Sequence, residues 1–308
     1  MQYKRISADC HLDLPWLPPE LFVSQAKREL KERMPYVEDG PDGPHWITKA
    51  GVNMGLVGGI GSVGGKFVPG QNYRVDKMAE TGLYEDGKKG VRRPGDPDQR
   101  IKDMDRDGVD AEIIFGILGV ASLVRDHEAA NEMLRIYNGW LKDFCGHYPD
   151  RQIGLACLPY GSVDLAVVEV HRVAKMGLKG LELTCSWDME PMWHPSWEPF
   201  WKAVDEVGLP LHFHTFPTTP PRAPDEAPSR ARSPALAKPA GGPRPSSGNP
   251  ITAITQLPYW HGMVSVMGLD EPWFGEAGIV INFNQDERFC CRFAADAATS
   301  DCRDNCWL

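Results

Sequence analysis

The sequence holds no long hydrophobic run. Its opening residues, MQYKRISADC, lack the apolar core of a secretory signal, and the most apolar stretch, 111–124, is too short to span a bilayer. Basic charge is also scarce. Thirty-three Lys and Arg stand against 42 Asp and Glu, a net charge of -9, and no basic cluster could neutralise a polyphosphate backbone. These absences argue against nucleic acid and membrane as partners, and the expectation is a soluble, cytoplasmic chain. No C-x-x-C pair occurs among the eight cysteines. Cys10, Cys145, Cys157 and Cys185 are scattered singly through apolar or helical pattern, as suits buried thiols in a reducing compartment. Cys290, Cys291, Cys302 and Cys306 crowd the C-terminal end without the spacing of a zinc knuckle.

What is present is enough apolar material, 42% of 308 residues, for the core of one large α/β domain. From about residue 100 onward, apolar strands alternate with amphipathic helices. The run 111–115 reads as a buried strand, followed by a helix over 126–148 with Met133, Leu134, Tyr137, Leu141 and Phe144 at helical spacing. A strand at 153–158 precedes a helix over 162–176, begun by Ser162 and ended by Gly177. A strand at 179–184, a helix over 195–207 ended by Gly208 and a strand at 209–215 complete the series. With 5–9 as the first strand, this order predicts a parallel sheet whose strand ends open on one face.

Two short stretches carry the chemistry. Asp9-Cys10-His11 and the run Leu209-Pro210-Leu211-His212-Phe213-His214 each place two donors two residues apart, hence on one face of a strand. Taken alone, Asp9 also suits a loop cap, and His11 a ring bonded to a backbone carbonyl. His45, His127, His147, His171 and His194 have no partner at ligand spacing and read as surface or structural residues. Trp187, Trp193, Trp197 and Trp201 read as helix and loop packing, with substrate stacking as the alternative. An excursion over 12–106, rich in Gly, Pro and charge, is expected to be a lid, an oligomer contact or a mobile loop. Its Gly59-Ile60-Gly61-Ser62-Val63-Gly64 spells a dinucleotide fingerprint, but without the preceding strand or following helix that such a site needs.

The text SADCHLDLPWLPPELF at 7–22, TGLYEDGKKG at 81–90, RDGVDAEIIFG at 106–116 and GLPLHFHT at 208–215 resembles the amidohydrolase-related family. These are metal-dependent barrels of the 2-amino-3-carboxymuconate 6-semialdehyde decarboxylase type. The resemblance implies a (β/α)8 TIM barrel, incomplete here, with five to six recognisable strand–helix units. It further implies Asp9, His11 and His214 as ligands of a divalent ion, zinc first, with manganese or iron as alternatives, and His212 as a substrate-binding residue. Phe274-Gly275-Glu276-Ala277-Gly278-Ile279 resembles the family motif at the sixth strand, which makes Glu276 the catalytic candidate. The implied activity is a carboxy-lyase acting on an aromatic or unsaturated carboxylic acid, with an incomplete active site. Hydrolysis of an ester, lactone or amide is one alternative, and a non-catalytic truncated family member another. A small-molecule substrate and a homo-oligomer are the implied partners.

The resemblance then fails. Ten of the 27 prolines fall within 217–250, a stretch without apolar periodicity that is expected to be disordered. Beyond it, 251–308 reads as a diverged or frame-shifted remnant of the barrel's C-terminal part. The family's Gly-Ser-Asp-Tyr/Phe-Pro-His motif is missing, and no convincing strand precedes its nominal replacements Asp270, Asp286, Asp296 and Asp301. The resulting division is 1–216 for the barrel's N-terminal part with its insertion at 12–106, then 217–250, then 251–308.

Overall fold

A computed structural model describes residues 3–61, 64–71, 73–185, 194–215, 262–267, 278–283 and 290–292. The first strand, β1 (Ile6–His11), leads into α1 (Leu21–Gln25) and an antiparallel meander of β2 (Tyr36–Gly40), β3 (Gly43–Ile47) and β4 (Asn53–Leu56). Helices α2 (Tyr73–Glu80), α3 (Leu83–Lys88) and α4 (Pro97–Asp107) return the chain to β5 (Ala111–Phe115). Then follow α5 (Leu118–Ala121), α6 (His127–Gly146), β6 (Gln152–Cys157), α7 (Val163–Met176), β7 (Gly180–Cys185), α8 (Glu198–Val207) and β8 (Leu211–Thr215).

Strands β1, β5, β6, β7 and β8 are neighbours in that order, and all four pairings are parallel. This is the strand–helix series expected of a barrel, carried through five units. The next member of the sheet is different. Strand β9 (Gly262–Met267) pairs antiparallel with β8, then β10 (Gly278–Phe283) and β11 (Cys290–Arg292) continue antiparallel. A sixth parallel unit at the Gly278 stretch is therefore not formed; that stretch enters an antiparallel strand instead. Segment 217–250, Glu276, Asp270, Asp286, Asp296, Asp301, Cys302, Cys306, Trp187 and Trp193 lie outside the described residues.

Local chemistry explains the helix boundaries. The Asp126 side chain accepts from the Ala129 amide at the start of α6, and Ser162 accepts from Leu165 at the start of α7, each satisfying a donor that the first turn leaves open. Gly177 and Gly208 end α7 and α8 at φ of 86° and 63°, a left-handed conformation that a Cβ would strain. The expected helix over 195–207 starts as a 3-10 turn, Pro195–Trp197, before becoming α-helical.

Alternation sorts the sheet into two faces. Ile114, Leu181, Leu183, Leu211 and Phe213 join the main core with residues of α6, α7 and α8, whereas Phe115 and Leu155 form a separate small cluster with Ile113. The first set faces the helix layer and the second faces the barrel interior. Trp197 and Trp201 belong to the helix-side packing, stacking edge-on or tilted against Phe200 and Phe213.

The excursion at 12–106 has more regular structure than its composition suggests. Trp46 and Met54 of the meander are buried with Leu12, Leu14 and Phe22 in the main core. Each such side chain contributes about 1.5–3 kcal/mol by leaving water. The glycine run contradicts one sequence expectation, since a strand does precede it: β4 ends at Leu56. Among its described residues, Ile60 pairs with Gly65, and the Leu56 amide donates to the Gly64 carbonyl. A Cβ on Gly64 would lie 2.7 Å from the Leu56 nitrogen, so the glycine serves close backbone approach.

Candidate functional site

Strands β1 and β8 stand at the two ends of the parallel set, separated by β5, β6 and β7. In a flat sheet they would be roughly 19 Å apart, at about 4.8 Å per strand. Instead the rings of His11 and His214 meet edge-on with centroids 5.5 Å apart. The sheet is curled, and the curl brings the two sequence-distant motifs together. Phe115, fully buried at the end of β5, packs against both rings at 5.7 and 5.8 Å, and against His212 at 5.7 Å.

The surroundings of His11 are acidic. Asp9 Oδ1 lies 3.3 Å from its Nε2, an ion-pair distance without hydrogen-bond alignment, and that oxygen is buried with no hydrogen-bond partner among the described residues. Asp13 Oδ1 lies 3.6 Å from Nδ1. Burial opposes a charge on the imidazole, but Asp13 and Asp9, with the more distant Glu182, outweigh it and push its pKa up to about 10. Burial pulls the His212 imidazole down to about 4, so it is neutral at pH 7.

Two further polar side chains stand on the interior face of β7. Register pairs Glu182 with His212 and Thr184 with His214. Both are buried, and neither Thr184 Oγ1 nor Glu182 Oε1 has a hydrogen-bond partner among the described residues. Glu182 Oε2 accepts from the Gly116 amide at 2.8 Å and more weakly from the Cys157 thiol at 3.7 Å. Burial raises the Glu182 carboxyl to about 7, against the Gly116 hydrogen bond and the field of His11.

Sequence reasoning missed Asp13 and Glu182. A signal for Glu182 existed, one acid inside the apolar strand text GLELTC. Three further described histidines have local partners: His45 bonds the Gly43 carbonyl, His171 faces Glu206, and His194 bonds Ser196.

The donor set can be tested against a metal ion by distance. Two imidazoles bound at about 2.0–2.1 Å would hold their ring centroids roughly 5 Å apart, close to the 5.5 Å between His11 and His214. Asp9 adds a buried oxygen with unused capacity. Among the described residues no three His, Cys, Asp or Glu are already closed around one point, so binding requires the side chains to draw in. Asp9, His11 and His214 would hold an ion only after that adjustment. Among the described residues no helix is long and apolar enough to cross a membrane.

Known proteins share these features to different extents. A 2-amino-3-carboxymuconate-6-semialdehyde decarboxylase from Dictyostelium discoideum is 23% identical over 120 residues, 39% of this chain and 33% of that protein. The chain thus matches about a third of the length of this curated relative. An amidohydrolase structure from Mycobacterium avium subsp. paratuberculosis superposes with a TM-score of 0.52 at 18% identity, over 70% of this chain and 59% of that one. That likeness supports the fold. A 5-carboxyvanillate decarboxylase from Novosphingobium aromaticivorans, solved with manganese and 3-methoxy-4-hydroxy-5-nitrobenzoic acid, is 25% identical over 48% of this chain and 40% of that one, at a TM-score of 0.39. The amidohydrolase family model matches residues 8–252. With that match covering most of its length and a curled parallel sheet beneath it, the chain belongs to the amidohydrolase family.

Proposed function

We propose that the chain is a metal-dependent carboxy-lyase for an aromatic or unsaturated carboxylic acid, with Asp9, His11 and His214 as ligands of the ion. The observation carrying this reading is the approach of His11 and His214 to 5.5 Å beside a buried carboxylate oxygen that lacks a hydrogen bond. A divalent ion bound there would supply a Lewis acid for a substrate oxygen. Zinc, manganese and iron all suit a mixed O/N donor set. The relatives named as decarboxylases favour loss of carbon dioxide over hydrolysis.

The chain's own residues would do the rest. Phe115 packs behind the His11, His212 and His214 rings and fixes their positions. His212, neutral at pH 7, can donate or accept one hydrogen bond to orient a carboxylate or phenol. Loss of carbon dioxide leaves an electron pair on the ring carbon, and a proton must reach that carbon. Glu276 remains the candidate donor, in a stretch outside the described residues.

The test is incubation of the manganese-loaded chain with hydroxybenzoates, 5-carboxyvanillate and unsaturated dicarboxylates, in parallel with aryl esters and lactones. One carbon dioxide released per acid consumed is the expected result. Ester or lactone cleavage without carbon dioxide would replace the reading with metal-dependent hydrolysis. No turnover by a metal-loaded chain would favour a non-catalytic family member.

A further inference from the structure

The excursion at 12–106 returns to the sheet through α4, and one charged side chain of that helix is buried against the end of β1. Arg100 bonds both oxygens of Glu112 on β5 through Nε and Nη2. Its Nη1 donates to two backbone carbonyls, His11 and Pro94, each at 3.1 Å. One guanidinium therefore ties together the residue that bears the imidazole, the strand beside it and the turn ahead of α4. A lysine could not do the same, because its single ammonium lacks the rigid fork.

The place of these bonds matters more than their number. Pairing of β1 with β5 is interrupted between Ser7 and Cys10 and resumes at Cys10 and His11, so the end of β1 is not fixed by an unbroken ladder. Beyond it, the Leu12 amide donates to the Phe115 carbonyl at 3.0 Å. A buried ion pair is weak evidence for stability, since an apolar pair of like size often serves as well; its better attested use is to specify geometry. We propose that Arg100 is a positioning residue: locked by Glu112, it holds the His11 carbonyl and thereby aims the imidazole at His214 on β8. This rests on the site proposed above.

The test is the double variant Arg100→Met/Glu112→Leu in the full chain. Removing both charges leaves neither buried alone, so urea unfolding should stay close to wild type. In metal-free protein labelled at His and Phe, nuclear Overhauser contacts of the His11 ring read its position. Wild type should show contacts to both His214 and Phe115, whose ring centroids lie 5.5 and 5.7 Å away. The double variant should lose the His214 contact. With manganese added, it should release carbon dioxide with kcat lowered about 100-fold, the cost of misplacing a reacting group by about an ångström, and with KM little changed.

A double variant that keeps the contact between His11 and His214 overturns the proposal, whatever its activity, and so does a wild type without that contact. If wild type shows the contact but releases no carbon dioxide, the carboxy-lyase reading fails and the ring contacts alone decide the positioning role. Should the double variant unfold, Arg100→Lys decides. It keeps a charge opposite Glu112 without the fork and is expected to weaken the His214 contact; full contact with full kcat would overturn the role.

Discussion

Two buried glutamates, 70 residues apart in sequence and on opposite faces of the same sheet, have opposite surroundings. Glu112 lies on the helix side of β5, where the Arg100 guanidinium of α4 bonds both of its oxygens and also donates to the His11 and Pro94 carbonyls. Glu182 lies on the interior side of β7, bonded to one amide and one thiol, with one oxygen unsatisfied. The first acid is neutralised by the chain itself; the second has no such partner among the described residues. A fold that resolves one buried carboxylate with an arginine and leaves the other with an unsatisfied oxygen treats the two faces of its sheet differently.

The contrast can be broken most forcefully at Glu112. Glu112→Gln leaves the buried Arg100 charge uncompensated and should destabilise the chain by about 3–5 kcal/mol in urea unfolding. Glu182→Gln removes no ion-paired partner and should cost far less in the metal-free chain. Equal losses in the two variants would erase the distinction.

A smaller effect is expected at Gly116, which holds Glu182 in place. A Cβ there would clash with Cys157 Sγ and the Tyr137 ring. Gly116→Ala should therefore lose about 1–3 kcal/mol through overpacking in urea unfolding. A variant as stable as wild type would show that the surrounding side chains relax at no cost.

The subtlest difference is in pH dependence. Glu182 has a folded pKa raised to about 7, so its contribution to stability is complete below its unfolded pKa near 4.3 and is lost as pH rises through 7. His212 works in the opposite direction: lowered to about 4, it favours folding above its unfolded value near 6.5 and loses that contribution as pH falls. Comparing wild type with Glu182→Gln cancels His212, and His11, Asp13 and Cys157 around Glu182 are common to both. In thermal melts of metal-free protein, the variant should gain on wild type between pH 4.5 and 7. A constant difference across that range would mean that Glu182 is not desolvated as described.

Much of the parallel half-barrel was legible before the structure because its signals are local. Strand β5 has the boundaries read from the apolar run 111–115, and Gly177 and Gly208 close the helices they were expected to close. Strand β1 runs on to His11, beyond the expected 5–9, because pairing with β5 resumes at Cys10 and His11 after an irregularity. The meander at 36–56 was not legible. Its Gly, Pro and charged residues carry little apolar alternation, and its burial depends on Trp46 reaching a core built largely by distant residues.

At the site, spacing alone identified Asp9, His11, His212 and His214 as candidates, and their roles rest on proposal. Glu182 escaped because its significance is tertiary, whereas Asp13 stands only two residues from His11 and its spacing was open to reading. Nothing in the sequence tells that a glutamate on β7 meets the amide following β5.

The central claim is that β1 and β8 converge on one cation, and crystallography of the manganese-soaked chain at the manganese absorption edge tests it most directly. The prediction is a single anomalous peak within about 2.0–2.3 Å of Asp9, His11 and His214 donor atoms. A peak bonded to other residues, or none at saturating manganese, would contradict it.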